Sequence, residues 1–119
     1  MAVVRPLTAD EIRELLAIEG SVSEEEIVYL HGLAARVRDG CIVQVGSYRG
    51  RSTAALALGS LAGFQVPVYA VDPQEEFKGI YGRQFGPEDR GAFFQTMPRF
   101  RLYPVVRLGN LSSEWLSRR

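Results

Sequence analysis

Disulfide and soft-metal chemistry have almost nothing to work with in this chain. Its 119 residues hold one cysteine, Cys41, and one histidine, His31. A single cysteine cannot close an internal disulfide, and no CxxC or HExxH spacing occurs. Disulfide scaffolds, zinc ribbons and zincins are therefore excluded, and no metal site is expected. Cys41 leads an apolar run and is expected to be a buried, inert thiol. Lysine is nearly missing as well: Lys78 stands against 13 arginines. That imbalance suits carboxylate or phosphate recognition, and equally a compositional bias. No apolar run approaches the ~20 residues of a membrane span, and the N-terminus has no signal-like stretch. A cytoplasmic protein without a membrane partner is the expectation.

Net charge is absent too, with 14 basic residues balancing 14 acidic ones. A chain built to coat nucleic acid would be strongly basic, so no nucleic-acid partner is expected. What is present is a core: 46% apolar residues in a length that fits one domain, 1–119. The charge is unevenly placed. Residues 1–39 carry eight acidic and four basic side chains, and residues 99–119 carry five arginines against Glu114.

Residues 1–39 read as two N-terminal helices. TADEIRELLAI places Thr8 three residues before Glu11, the spacing of a capping box, with Ile12, Leu15 and Leu16 on one face and Gly20 ending it. SVSEEEIVYLHGLAARV repeats the box with Ser23 and Glu26, and carries Ile27, Leu30, Ala34 and Val37 as its stripe. Glu24, Glu25 and Glu26 fall in its first turn, where the helix dipole favours negative charge. His31, inside this helix, reads as a surface or packing residue rather than a catalytic one.

Residues 40–119 alternate strand and helix. IVQV (42–45) is near-continuously apolar, as a strand covered on both faces would be. A helix follows over 51–62, then strand VPVYAV (66–71), a glycine-containing loop QEEFKGIYGRQFG, and a helix opening PEDRGAFFQTM. Strand YPVVRL (103–108) and a short helix SSEWLSRR, with Ser112 as its cap, complete the order. Such alternation predicts an α/β fold with a parallel sheet and right-handed crossovers.

The segment CIVQVGSYRGRSTAALA joins the first strand to its helix through glycines. There the backbone can approach a ligand closely, and the helix start offers unpaired N–H groups. Gly46 and Gly50 are the expected contacts. A GxGxxG fingerprint fails at Tyr48 and Arg51, and no Gly-Lys-Ser/Thr ends the turn, so dinucleotide and P-loop sites are disfavoured. Asp72 ends the next strand, where a carboxylate can accept both hydroxyls of a ribose, in NAD or in S-adenosylmethionine alike.

IVQVGSYRGRSTAALA followed by VYAVDP resembles the class I S-adenosylmethionine-dependent methyltransferases. It is most similar to the branch with a GSxxGxST first motif and an Asp-Pro second motif, which includes O-methyltransferases of sugars and small metabolites. The resemblance spans residues 21–119. It implies a Rossmann-like three-layer sandwich with strand order 3-2-1, present in part, and S-adenosylmethionine as cofactor, with S-adenosylhomocysteine as product. By resemblance Gly46, Ser47 and Gly50 line the cofactor's methionine and ribose end, with Tyr48 and Arg49 extending over it. Ser52 caps the helix or meets the methionine carboxylate, Asp72 holds the ribose, and Asn110, Leu111 and Ser112 lie beside the adenine. Gln44 departs from the family, which has an acidic residue there, near the methionine ammonium.

The family's fourth strand and its Asp-containing motif have no counterpart before Arg119. The catalytic group is accordingly unassigned, with Glu75, Glu76 and Tyr81 of the loop as the only candidates. A sheet of three strands would leave residues 42–45 as an exposed apolar edge, which predicts either further chain that covers it or, if the chain is complete, a homo-oligomer formed through that edge. The expected function is cofactor binding in a methyltransferase-like protein, with O-methyl transfer to a sugar or small-molecule acceptor. The alternative is a non-catalytic binding module or self-associating interaction domain.

Overall fold

The computed structural model describes residues 5–46, 49–72, 77–78, 84–85 and 87–110. Both N-terminal helices begin where their caps predict. Helix α1 (Ala9–Leu16) and helix α2 (Glu24–Ala35) each start on a complete capping box, Thr8 with Glu11 and Ser23 with Glu26. Strand β1 (Ile42–Val45) and helix α3 (Arg51–Ala62) keep their expected bounds. Strand β2 (Val68–Asp72), helix α4 (Pro87–Arg99) and strand β5 (Val106–Asn110) follow. Within the segment expected to be loop, β3 (Phe77–Lys78) and β4 (Gln84–Phe85) pair as a short antiparallel ladder. The helix expected at 112–119 lies outside the described residues.

β1, β2 and β5 form one parallel sheet in that order, the 3-2-1 arrangement seen from its other edge. This is a partial Rossmann-like α/β fold. Two successive crossovers step in one direction across the sheet, and α3 and α4 share one core with it. The core between them holds Ala54, Ala57, Leu58, Val68, Ala70, Phe93, Met97 and Leu102. α2 lies on α3 backbone to backbone. A side chain added at Gly59 would meet the His31 carbonyl oxygen at 2.2 Å, and one at Gly63 would meet that of Ala35 at 2.2 Å. This packing buries His31 to 4% exposure with its Nε2 unpartnered among the described residues. Burial chiefly, with the Arg5 guanidinium second, pulls its pKa below the ordinary histidine value, while Glu11 opposes.

Three expectations need correcting. The third strand starts at Val106 rather than 103, because Arg101 takes a positive φ of 56° and the chain turns through Pro104 first. Leu102 and Val105 are nevertheless buried from that turn. β1 is not covered on both faces: Val43 is 54% and Val45 63% exposed. The N–H groups of Ile42 and Gly46 donate to Pro67 and Val71 at 2.9 Å, so strand alternation turns the polar backbone of Val43 and Val45 to the outer edge. Among the described residues that edge has no neighbour, and the open edge expected of a three-stranded sheet is observed. Cys41 is exposed rather than buried, since strand alternation puts it on the same face as exposed Val43 and Val45.

Candidate functional site

The carboxyl ends of three parallel strands define the site. Val45 is level with Val71, and Asp72 is level with Asn110. The Gly46 N–H donates to the Val71 carbonyl, so Gly46, Asp72 and Asn110 occupy one row across the end of the sheet. At a strand spacing of 4.7–4.9 Å the row is roughly 10 Å wide. Three residues picked from three separate segments of sequence are thus brought together by the backbone.

The glycine turn has an open half and a closed half. Gly46 is exposed with φ +83°, and a Cβ placed on it would meet nothing within 4 Å among the described residues. Only glycine takes that conformation cheaply, and the space beside it lets a ligand reach the main chain. Gly50, with φ +100°, is buried under α4, where a Cβ would meet Phe93, Thr96 and Met97 at 3.2–3.4 Å. The Thr96 hydroxyl donates to the Arg49 carbonyl at 3.0 Å and fastens the turn to α4. Gly50 is thus a packing glycine on its Cα side.

α3 starts without a side-chain cap, with Gly50 at the cap position. Its first ladder bond runs from Ala54 N–H to the Gly50 carbonyl, so the amides of Arg51, Ser52 and Thr53 precede the ladder. Ser52 therefore does not cap the helix, the first of its two expected roles. Its Oγ accepts from the Gln44 amide Nε2 at 2.5 Å, and the buried Thr53 hydroxyl donates to Gln44 Oε1. Gln44 is bound to α3 through both ends of its carboxamide, which nothing in the sequence flagged.

The arginines of the turn reach the connection between α1 and α2. Arg51 donates Nε to Ile18 O at 2.7 Å, Nη1 to Val22 O at 2.6 Å and Nη2 to Leu16 O at 2.9 Å. It clamps the connection between α1 and α2 and satisfies carbonyls that α1 leaves at its end. Arg49 pairs with Glu19 of the same connection at 3.2 Å.

Ser47, Tyr48, Leu111 and Ser112, with the loop residues Glu75, Glu76 and Tyr81, lie outside the described residues. Of Asp72 and Asn110 only the backbone is described. Among the described residues no group of three or more His, Cys, Asp or Glu side chains gathers as metal ligands do. No described helix is long and apolar enough to cross a membrane.

No protein-family model matches the chain, and no curated protein matches it. A solved structure, that of cofactor-bound Rv0187 from MTB, is similar in fold, with a TM-score of 0.61 at 20% identity. The match covers 87% of this chain but only 44% of that one, so this chain spans less than half the length of its neighbour.

Proposed function

We propose that this chain is the S-adenosylmethionine-binding domain of a methyltransferase-like protein, acting in O-methyl transfer to a sugar or small-molecule acceptor. The observation that carries the proposal is the row of Gly46, Asp72 and Asn110 beside the uncapped start of α3. Ligands of open α/β sheets bind outside the carboxyl ends of the strands, and an uncapped helix start favours an anionic group. The motif GSYRGRST and the Asp-Pro that ends VYAVDP resemble the family whose cofactor needs this arrangement. The likeness of fold to a cofactor-bound protein agrees with it.

The residues present fit such a group. Gly46 leaves room at the main chain, the first-turn amides of α3 and the Ser52 hydroxyl suit a carboxylate, and Asp72 would take the two ribose hydroxyls. Asn110, at the end of β5, would lie on the adenine side, with Leu111 and Ser112. When bound, the cofactor supplies an electrophilic methyl on a sulfonium; the chain's own task here is to bind and orient it.

Calorimetry with S-adenosylhomocysteine tests the proposal. Binding is expected, and Asp72→Ala should weaken it by about 1–3 kcal/mol, or roughly 5- to 150-fold, as hydrogen bonds to a charged group are lost. Absence of binding at millimolar ligand would refute the proposal, and unchanged affinity in the variant would remove Asp72 from the site.

A further inference from the structure

The carboxamide of Gln44 lies between two hydroxyls of α3, with its oxygen on the buried one and its nitrogen on the other. Thr53 is fully buried, and its hydroxyl donates to Gln44 Oε1. That contact turns the amide nitrogen towards Ser52, whose Oγ must then act as the acceptor. A serine hydroxyl that accepts from one side keeps its own proton for another partner. Among the described residues nothing accepts that proton. Ser52 is half-buried at the second position of α3, beside the amides that precede the helix ladder.

We infer that Gln44 is a positioning residue that fixes Ser52 as a hydrogen-bond donor and so tunes this end of the site for a carboxylate. An acidic side chain at position 44 would do the opposite. Lacking donors, it would draw the Ser52 proton inwards, leave a lone pair facing out, and add a negative charge. The glutamine therefore selects the anionic end of a zwitterionic ligand, where an acid would select the cationic end. The inference rests on the cofactor proposal and deepens it: the methionine moiety of the cofactor would be held here by its carboxylate more than by its ammonium.

The test compares three thioether probes on the whole chain: S-adenosylhomocysteine, decarboxylated S-adenosylhomocysteine, which keeps the ammonium alone, and 5′-methylthioadenosine, which has neither group. The wild type is expected to bind S-adenosylhomocysteine more tightly than the decarboxylated compound. Gln44→Glu should weaken S-adenosylhomocysteine about tenfold or more, strengthen the decarboxylated compound, and leave methylthioadenosine unchanged. Its fold should persist, because both hydroxyls can rotate to donate to a carboxylate, and circular dichroism checks this. Ser52→Ala is the second variant, expected to weaken S-adenosylhomocysteine while sparing the other two. Equal or tighter binding of S-adenosylhomocysteine by Gln44→Glu would overturn the inference while leaving the cofactor proposal standing. Failure of the wild type to bind any of the three would overturn both.

Discussion

The backbone contact between α2 and α3 gives one chemical change opposite effects at two positions. At Gly59, an alanine Cβ would lie 2.2 Å from the His31 carbonyl oxygen and 2.9 Å from its carbonyl carbon and Cα. Neighbouring heavy atoms rest at roughly 3.5 Å, so the helices must part by on the order of 1 Å. Overpacking of this kind costs about 1–3 kcal/mol, and contact with rigid backbone puts it at the upper end. Alanine returns up to about 1 kcal/mol of helix propensity, leaving a net loss of about 2 kcal/mol for Gly59→Ala. Gly32, also within a helix, has nothing within 4 Å of an added Cβ among the described residues, so Gly32→Ala should gain about 0.5–1 kcal/mol. Urea denaturation followed by far-ultraviolet circular dichroism measures both, and the midpoints should move in opposite directions at constant slope. Displacement in the same direction, or a Gly59→Ala variant as stable as the wild type, would refute the close approach.

Arg51→Lys removes a fork that engages three carbonyls, and one ammonium cannot reach all of them. A loss of about 2–4 kcal/mol is expected by urea denaturation, with faster proteolysis between residues 17 and 23; an unaffected variant would show the clamp to be idle. His31 should make stability depend on pH. Its pKa is depressed in the fold, so the unfolded chain takes up a proton near pH 6.5 that the folded chain refuses. Stability from this source is complete above that pH and falls as pH drops through it, a slope that His31→Gln should abolish in denaturation midpoints from pH 8 to 5.5. Glu11 acts in a lower window: the Arg5 hydrogen bond, foremost, holds its pKa at about 2, so its contribution is lost between about pH 4.5 and 2. At the open edge, the chain is expected to self-associate through residues 42–45, and Val45→Lys to be monomeric. Light scattering that shows a stable wild-type monomer at high concentration would exclude this.

Local signals carried much of the fold. Thr8 and Ser23 each dictate a helix start through contacts three residues away, and α3 runs between Gly50 and Gly63 as the glycines suggest. Gly46 and Asp72 were legible because strand ends in alternating α/β sequences are where ligands bind, whereas Asn110 followed only from the family resemblance. What stayed hidden depends on partners far along the chain. Arg51 spends its donors on carbonyls 29 to 35 residues away, and no spacing rule relates those positions. Gln44 looked like a lone polar residue in an apolar strand, and its two hydroxyl partners emerge only when α3 folds back over β1. Cys41 misled for a related reason: an apolar neighbourhood in sequence does not bury a residue whose strand has one neighbour.

The glycine turn is held from three directions, and this decides what its arginines do. β1 reaches it through Gln44, α4 through Thr96 and the side chains around Gly50, and the α1–α2 connection through Arg51 and Arg49. Its Arg49–Gly50 end, fixed in this way, has little conformational freedom left to lose when the proposed cofactor binds, which would favour affinity. Free arginines at the strand ends would offer a ligand charge, yet they would have to be ordered at the moment of binding, at about 0.5–1.5 kcal/mol for each side chain. Here Arg51 is engaged by the α1–α2 connection and Arg49 pairs with Glu19, and the proposed ligand would meet the main chain at Gly46 and the first amides of α3. The two N-terminal helices are on this account part of the candidate site's construction rather than an appendage to it, since the carbonyls that Arg51 holds belong to the last residue of α1 and to the connection between them.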